Sequence, residues 1–315
     1  MPELQPYDKP PLTIDEQIAL YIRRGMAVPD VQRARHYLSF ISYYRLSIYA
    51  RTLQVEHSPD HHYRSGTCFD DMLGLYTFDR ELRLLVMDAI ERIEVALRAA
   101  IAYEFSIAAG PNWYADASLF NDSGRFSYGA EMLRIERLCR ESQEEFMKHH
   151  REHYLGDPPS WKLLEALTVG ELERIFLSMD ADKQLVKDTR YRIASRFGIS
   201  VSLLRSWFKP VCLLRNICAH HGRMWNRKLI YRPDVPRNPR IAWVRHEVGT
   251  RQKLYTYLCM VQCMMLRINP HSSWKDRLLA LLEEHADVPQ AQMGFPESWQ
   301  QDPFWHPRSE NGEHS

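Results

Sequence analysis

A helical hydrophobic repeat between residues 67 and 109 constrains the fold of this chain more than any other feature. Apolar residues recur there at steps of three and four, at Leu82, Leu85, Val86, Ala89, Ile93, Ala96, Leu97 and Ala100. This spacing places them on one face of an α-helix, which turns about every 3.6 residues. We expect a long helix from residue 67 to about residue 109, with a candidate break near residues 77–79 and a stop at Gly110 and Pro111.

The remaining sequence also predicts helices, without a strand-rich block or an internal repeat. Thr13 and Glu16 form a capping-box pattern, and Asp30 is placed to begin the second helix. Because a proline inside a helix loses a backbone hydrogen bond, Pro210 predicts two helices at 200–208 and 210–221, with Gly222 as the stop. The fold class is therefore all-α. Helices are expected at 13–24, 30–53, 67–109, 128–154, 160–178, 181–197, 200–208, 210–221, 247–268 and 271–286.

Composition predicts a soluble cytoplasmic protein. The 315 residues are 45% hydrophobic and 26% charged, and no apolar run is long enough to cross a membrane. Residues 1–8 lack the pattern of a secretory signal, and the six cysteines are scattered, which is typical of reduced thiols. We expect an N-terminal helical segment at 1–66, a helical core at 67–286 and a polar, flexible tail at 287–315.

Positive charge is concentrated in one part of the chain. The whole protein has a net charge of +1, yet residues 189–233 contain no Asp or Glu. A local positive field of this kind favours binding of a phosphodiester backbone. The span carries ten basic residues, Arg190, Arg192, Arg196, Arg205, Lys209, Arg215, Arg223, Arg227, Lys228 and Arg232.

An Arg-x4-His motif lies inside this basic span. Arg215 is followed by the polar Asn216 and then by the pair His220 and His221. On an ideal helix Arg215 and His220 are separated by about 140°, so they converge on one ligand only near the helix end or across a two-fold interface. The bare pattern is weak evidence, and the alternative is a structural arginine with surface histidines.

Other polar clusters give no clear site. The histidines at 149, 150 and 153 are expected to form a solvated helix end rather than a metal site, and Glu91 and Glu94 look like exposed partners of Arg92 and Arg98. The sequence has no Gly-rich phosphate loop. We expect neither a metal nor a cofactor.

Residues 214–227, with the sequence LRNICAHHGRMWNR, closely resemble the signature of the Abi-like proteins. These are bacterial abortive-infection proteins that confer phage resistance, within the wider HEPN superfamily. Residues 41–49, 78–98 and 159–170 resemble the same family in the expected order. One departure is Ile48, where the family pattern favours a small residue.

The resemblance implies a HEPN-type helical bundle with additional N-terminal and C-terminal helices. It further implies a homodimer that cleaves RNA without a metal, leaving 2′,3′-cyclic phosphate and 5′-hydroxyl ends. Arg215, Asn216, His220 and His221 match the catalytic motif, with either histidine as the working imidazole. An inhibitory antitoxin or regulatory RNA is a further expected partner. The expected RNA contacts are Arg205, Lys209, Arg223, Trp225, Arg227 and Lys228.

Two other interpretations remain open. The basic span is also compatible with a non-catalytic RNA-binding module in which the Arg/His pair is structural. A protein-interaction scaffold without a nucleic-acid role would be favoured if the basic residues were dispersed over the surface. The indole of Trp225 is equally suited to stacking on an unpaired base and to packing in the core.

Overall fold

The computed structural model describes residues 10–123 and 126–306, and it confirms the all-α fold class. Within these residues β-structure is limited to isolated bridges, such as the one between Ala27 and Cys68. The α-helices of the described residues are α1 (Ile14–Arg23), α2 (Val31–Phe40), α3 (Tyr43–Ala50), α4 (Phe69–Ala109), α5 (Tyr128–Glu141), α6 (Glu145–His153), α7 (Ser160–Ala166), α8 (Val169–Ser178), α9 (Gln184–Arg196), α10 (Val201–Ala219), α11 (Leu254–Ile268) and α12 (Trp274–Glu284).

Backbone contacts divide the chain into two compact units, Met1–Glu81 and Leu82–Ser315. The division falls inside α4, a different position from the boundary at residue 66 that the sequence suggested. The expected absence of a secretory signal at residues 1–8 lies outside the described residues. No single described helix is long and apolar enough to cross a membrane; α9 and α10 meet the length and composition test only as a pair bent by 70°.

In the first unit, side-chain caps set where the helices begin. The capping box at Thr13 is confirmed, because its hydroxyl accepts from the Glu16 backbone and the Glu16 carboxylate accepts from the Thr13 N–H. The single helix expected at 30–53 is instead divided at Ile41, whose backbone is extended. Ser42 then caps α3 by accepting from the Arg45 N–H.

Helix α4 runs without the expected break at residues 77–79. Asp79 is fully buried, and its carboxylate accepts a hydrogen bond of 2.6 Å from the Tyr49 hydroxyl, which satisfies a group that would otherwise favour a turn. The predicted apolar stripe is largely confirmed. Leu82, Leu85, Val86, Ala89, Ile93, Leu97 and Ala100 are buried, while Ala96 is half-buried.

Two helices predicted as continuous are each broken by a polar side chain. The segment expected at 128–154 divides into α5 and α6, because Ser142 leaves the helical conformation and its hydroxyl accepts from the Glu144 N–H. The segment expected at 160–178 divides into α7 and α8, since Thr168 and Glu171 form a second capping box. Local hydrogen bonding of this type competes with helix continuation.

Helix α10 continues through Pro210, contrary to the two helices predicted there. A proline in a helix interior costs about 3 kcal/mol. Buried side chains lie on both sides of it, among them Leu204, Trp207, Val211 and Leu214, and each stabilises the continuous helix by about 1.5–3 kcal/mol. Packing therefore outweighs the lost hydrogen bond and keeps the motif at the end of one long helix.

The described part of the expected flexible tail is packed, which corrects that prediction. Asp302 fastens it, because its carboxylate accepts from the backbone N–H groups of Arg245, His246 and Phe304. The indole of Trp305 donates to the Tyr255 hydroxyl at 3.0 Å. Polar composition concealed the spaced apolar anchors Val288, Met293, Phe295, Trp299 and Trp305, all buried. Residues 307–315 lie outside the described residues.

Candidate functional site

The motif lies at the carboxyl end of α10, where the helix ends in a Schellman turn. The Gly222 N–H donates to the Ile217 carbonyl at 2.8 Å, and the His221 N–H donates to the Cys218 carbonyl at 3.1 Å. His221, rather than the predicted Gly222, takes the left-handed conformation, with φ of 54°. This conformation costs a non-glycine residue about 1–2 kcal/mol. Backbone strain of this kind is concentrated at functional sites in proteins.

The motif side chains divide between the surface and the interior. Asn216, His220 and His221 are exposed, whereas the Arg215 side chain is 33% exposed. Arg215 and His220 lie about 140° apart on an ideal helix, so the guanidinium and the imidazole do not share one helix face. Asn216 is the neighbour that contacts Arg215, through a 3.4 Å hydrogen bond from Nη1 to Oδ1.

A nearly buried ion group holds Arg215 against α4. Arg215 Nε lies 3.9 Å from the Glu94 carboxylate, which also pairs with Arg98 at 2.6 Å. The Arg98 and Glu94 side chains are only 8% and 16% exposed, so this pair is not the exposed helix-face pair expected from the sequence. Arg98 also donates to the Leu164 carbonyl. Arg215 Nε itself is buried without a hydrogen-bond partner among the described residues.

Two further titratable groups flank this ion group. Burial raises the pKa of the Cys212 thiol to about 12, with Glu173 and Glu94 adding to the shift. The thiol therefore stays protonated and is a poor nucleophile at neutral pH. Burial also raises the pKa of Glu173, although the charges of Lys209 and Arg174 oppose it. The sequence analysis did not single out Glu173. The one sequence signal for its burial is its position on a helix beside buried residues.

The ten basic residues of the span differ in exposure and in pairing, since some are buried or bound to a carboxylate and others are exposed. Arg190 is buried, while Arg192 and Arg196 bind opposite oxygens of Glu104 at 2.9 and 2.6 Å. Arg205, Lys228 and Arg232 are exposed, and Lys209, Arg223 and Arg227 are half-buried. The predicted concentration of positive charge is therefore smaller at the surface than in the sequence.

The predicted RNA contacts are partly aligned with the motif. On an ideal helix Arg205, Lys209, Asn216 and His220 fall within an arc of about 60°, which we call the polar stripe of α10. Arg223, Arg227 and Lys228 follow the helix end. Trp225 is 1% exposed. The suggestion that it stacks on a base is therefore wrong for this conformation, and its core role prevails.

The histidines of α6 form an aromatic cluster. The rings of His149 and His153 stack at 4.3 Å, and His150 Nε2 contacts the Gly156 carbonyl at 3.2 Å. In the part of the chain that the structure describes, no group of three or more His, Cys, Asp or Glu side chains is arranged to hold a metal. Four of the six cysteines are buried.

A comparison with protein families gives a match over the region that carries the motif. A family model described as Abi-like protein matches residues 36–226, which is more than half of the chain. The matched region begins in α2 and includes the whole of α10 and the motif at its end. Neither curated proteins nor solved structures show a significant similarity to the chain.

Proposed function

The chain belongs to the Abi-like protein family, and on this premise we propose that it is an abortive-infection effector that cleaves RNA during phage attack. The observation that supports cleavage most is the end of α10. There Asn216, His220 and His221 are exposed, His221 has a left-handed backbone conformation, and Arg215 has an Nε without a hydrogen-bond partner. The proposed superfamily is HEPN and the proposed reaction is metal-independent.

The proposed chemistry needs a base, an acid and a cation. One imidazole, from His220 or His221, removes the proton from the ribose 2′-hydroxyl, whose oxygen then forms a bond to phosphorus. A second imidazole donates a proton to the departing 5′-oxygen as the phosphorus–oxygen bond breaks. Arg215 stabilises the added negative charge on the phosphorane, and Asn216 orients the phosphate. The products carry 2′,3′-cyclic phosphate and 5′-hydroxyl ends.

A homodimer completes the proposed site. Arg215 contacts Glu94 while His220 is exposed, and a second α10 end would bring a further arginine and imidazole to the same phosphate. We therefore propose that two motifs face each other across a two-fold axis. The proposed setting is the cytoplasm, where an antitoxin or regulatory RNA keeps the effector inactive until infection.

The test is RNA cleavage in EDTA by the purified protein. The parent is expected to produce cyclic phosphate ends, and the His220→Ala/His221→Ala variant is expected to produce none. The matched control is His149→Ala/His153→Ala, which also removes two exposed histidines. Equal cleavage by the motif variant and the control would refute the assignment, and dependence of cleavage on a divalent metal would refute the metal-independent reaction.

The pairing of Arg215 with Glu94 favours a second candidate, a non-catalytic RNA-binding module. In that case Arg215 is structural, as its 3.9 Å contact with Glu94 permits. RNA would be retained but left intact by the parent, and the motif variant would bind it with unchanged affinity. Product mapping therefore separates the two candidates.

A further inference from the structure

A cationic pocket lies between α9 and the first turn of α10, at a distance from the motif. Its volume is about 450 Å³, and its lining includes Lys187, Arg190 and Arg205 but only one carboxylate, Asp188. Asp188 accepts a hydrogen bond from Gln184 at 2.8 Å. Since Arg205 precedes His220 by fifteen positions, the pocket and the motif are separated by about 22 Å along the helix axis.

Arg190 lines this pocket and has no carboxylate partner among the described residues. It is 2% exposed, and its Nη2 donates to the carbonyls of Phe176 and Met179 at 2.5 and 3.1 Å. Its Nε is buried without a hydrogen-bond partner. Burial, together with the charge of Arg205, lowers the pKa of Arg190 to about 10, although Asp180 opposes the shift.

A buried cation without an acidic partner is costly unless an anion approaches it. The other arginines of α9 show the usual solution, since Arg192 and Arg196 share the carboxylate of Glu104. Arg190 has no such carboxylate partner and instead lines an open pocket together with Lys187 and Arg205. The pocket thus has the charge and the access that an anion from solution requires.

An exposed aromatic ring stands beside the pocket. Tyr191 is 68% exposed and lines both this pocket and a neighbouring cleft of about 1130 Å³. The cleft also contains Arg237 and Asn238 together with the carboxylates of Asp234 and Glu247, and its Arg251 pairs with Asp234 at 3.3 Å. A tyrosine ring next to a cationic pocket suits a nucleic acid base attached to a bound phosphate, because bases stack on aromatic faces while the phosphate meets the cations.

We propose that Lys187 and Arg205 bind a backbone phosphate of single-stranded RNA above Arg190, and that the adjoining base stacks on Tyr191. The strand would then follow the polar stripe of α10 toward His220. This inference rests on the proposed function only for the statement that the bound strand is the substrate. It adds an anchor several nucleotides away from the bond that is cut.

The test is fluorescence anisotropy with a single-stranded 2′-O-methyl oligonucleotide, which lacks the nucleophile and stays intact. Arg205→Gln and Tyr191→Ala are each expected to weaken binding about tenfold. Arg205→Gln should also reduce the salt dependence of log K by about one. The control Arg137→Gln removes a 72% exposed arginine of α5 and is expected to bind like the parent. Parent-like affinity in both pocket variants would overturn the inference.

The two proposals fail separately. If the parent cleaves RNA while Arg205→Gln and Tyr191→Ala bind as tightly as the parent, the pocket inference fails and the proposed function stands. If no RNA is cleaved but both variants bind weakly, the pocket stands as an RNA site and the catalytic proposal fails. If millimolar inorganic phosphate raises the melting temperature of the parent but not of Arg205→Gln, and oligonucleotide binding ignores both variants, the pocket takes free phosphate and the strand assignment is wrong.

Discussion

Glu94 is the residue whose removal tests the ion group behind the motif most directly. Its carboxylate lies 2.6 Å from the Arg98 guanidinium and 3.9 Å from Arg215 Nε. The Glu94 side chain is 16% exposed and the Arg98 side chain is 8% exposed. Glu94→Ala leaves the Arg98 guanidinium almost buried without its counter-charge. Removing one partner of a buried ion pair costs about 3–5 kcal/mol. Because Arg98 keeps its bond to the Leu164 carbonyl, we expect the lower end, about 3 kcal/mol.

The expected change is measurable by thermal unfolding followed by circular dichroism. In a domain of this size each kcal/mol shifts Tm by about 2–4 °C, so Glu94→Ala should lower Tm by about 6–12 °C. Glu94→Gln retains a carbonyl acceptor for Arg98 and should show a smaller loss.

The matched control is Glu141→Ala, which breaks an ion pair of the same helical spacing with Arg137. Those side chains are 72% and 54% exposed for Arg137 and Glu141, and an exposed pair contributes at most about 1 kcal/mol. If Glu94→Ala and Glu141→Ala show the same Tm, the reasoning from burial is refuted and Glu94 does not hold Arg215 in place.

Three further perturbations test the local geometry, each by denaturant or thermal unfolding. His221→Gly should be about 0.5–1 kcal/mol more stable than His221→Ala, because both lose the side chain but only glycine accepts the left-handed backbone without strain; equal stabilities would contradict the left-handed helix end. Gly198→Ala should cost about 1–2 kcal/mol, since φ is +65° and the added Cβ would lie 2.4 Å from Arg267 Nε, whereas Gly170→Ala meets no atom within 4 Å and should be neutral or slightly stabilising. Burial raises the pKa of Asp302, but its backbone hydrogen bonds outweigh that effect and the net pKa is lowered. The ionised carboxylate therefore stabilises the folded state above the unfolded pKa of about 4, and this stabilisation is lost as pH falls through the folded pKa. Asp302→Asn should destabilise the protein at pH 7 and match the parent in strong acid.

Sequence periodicity predicted those features that depend on a long, regular pattern. The stripe of α4 was correct because its apolar residues repeat over several turns. The capping box at Thr13 was correct because its two partners are only three residues apart. Some errors arose where local caps at Ser142 and Thr168 end a helix. Others arose where one contact from a distant part of the chain decides the outcome. The Tyr49 hydroxyl donates a hydrogen bond to Asp79, which allows α4 to continue past that residue. Buried side chains on both sides of Pro210 stabilise α10 as one continuous helix.

At the candidate site, the sequence likewise did not predict which basic residues pair with carboxylates from distant parts of the chain. Between residues 189 and 233 the sequence contains ten basic residues and no acidic one, which predicts a local concentration of positive charge. The neutralising carboxylates come from α4, more than eighty positions earlier in the chain, where Glu104 binds Arg192 and Arg196 and Glu94 holds Arg215. Such pairing has no local signature.

The same pairing shows which cations remain for a nucleic acid. Glu104 of α4 pairs with two arginines of α9, Arg192 and Arg196. Arg190 instead donates to backbone carbonyls and lines an open pocket together with Arg205. Carboxylates of α4 thus contact Arg192, Arg196 and Arg215, whereas Arg190 has no carboxylate partner among the described residues. The proposals made above therefore assign RNA contacts to the start of α10 as well as to its end.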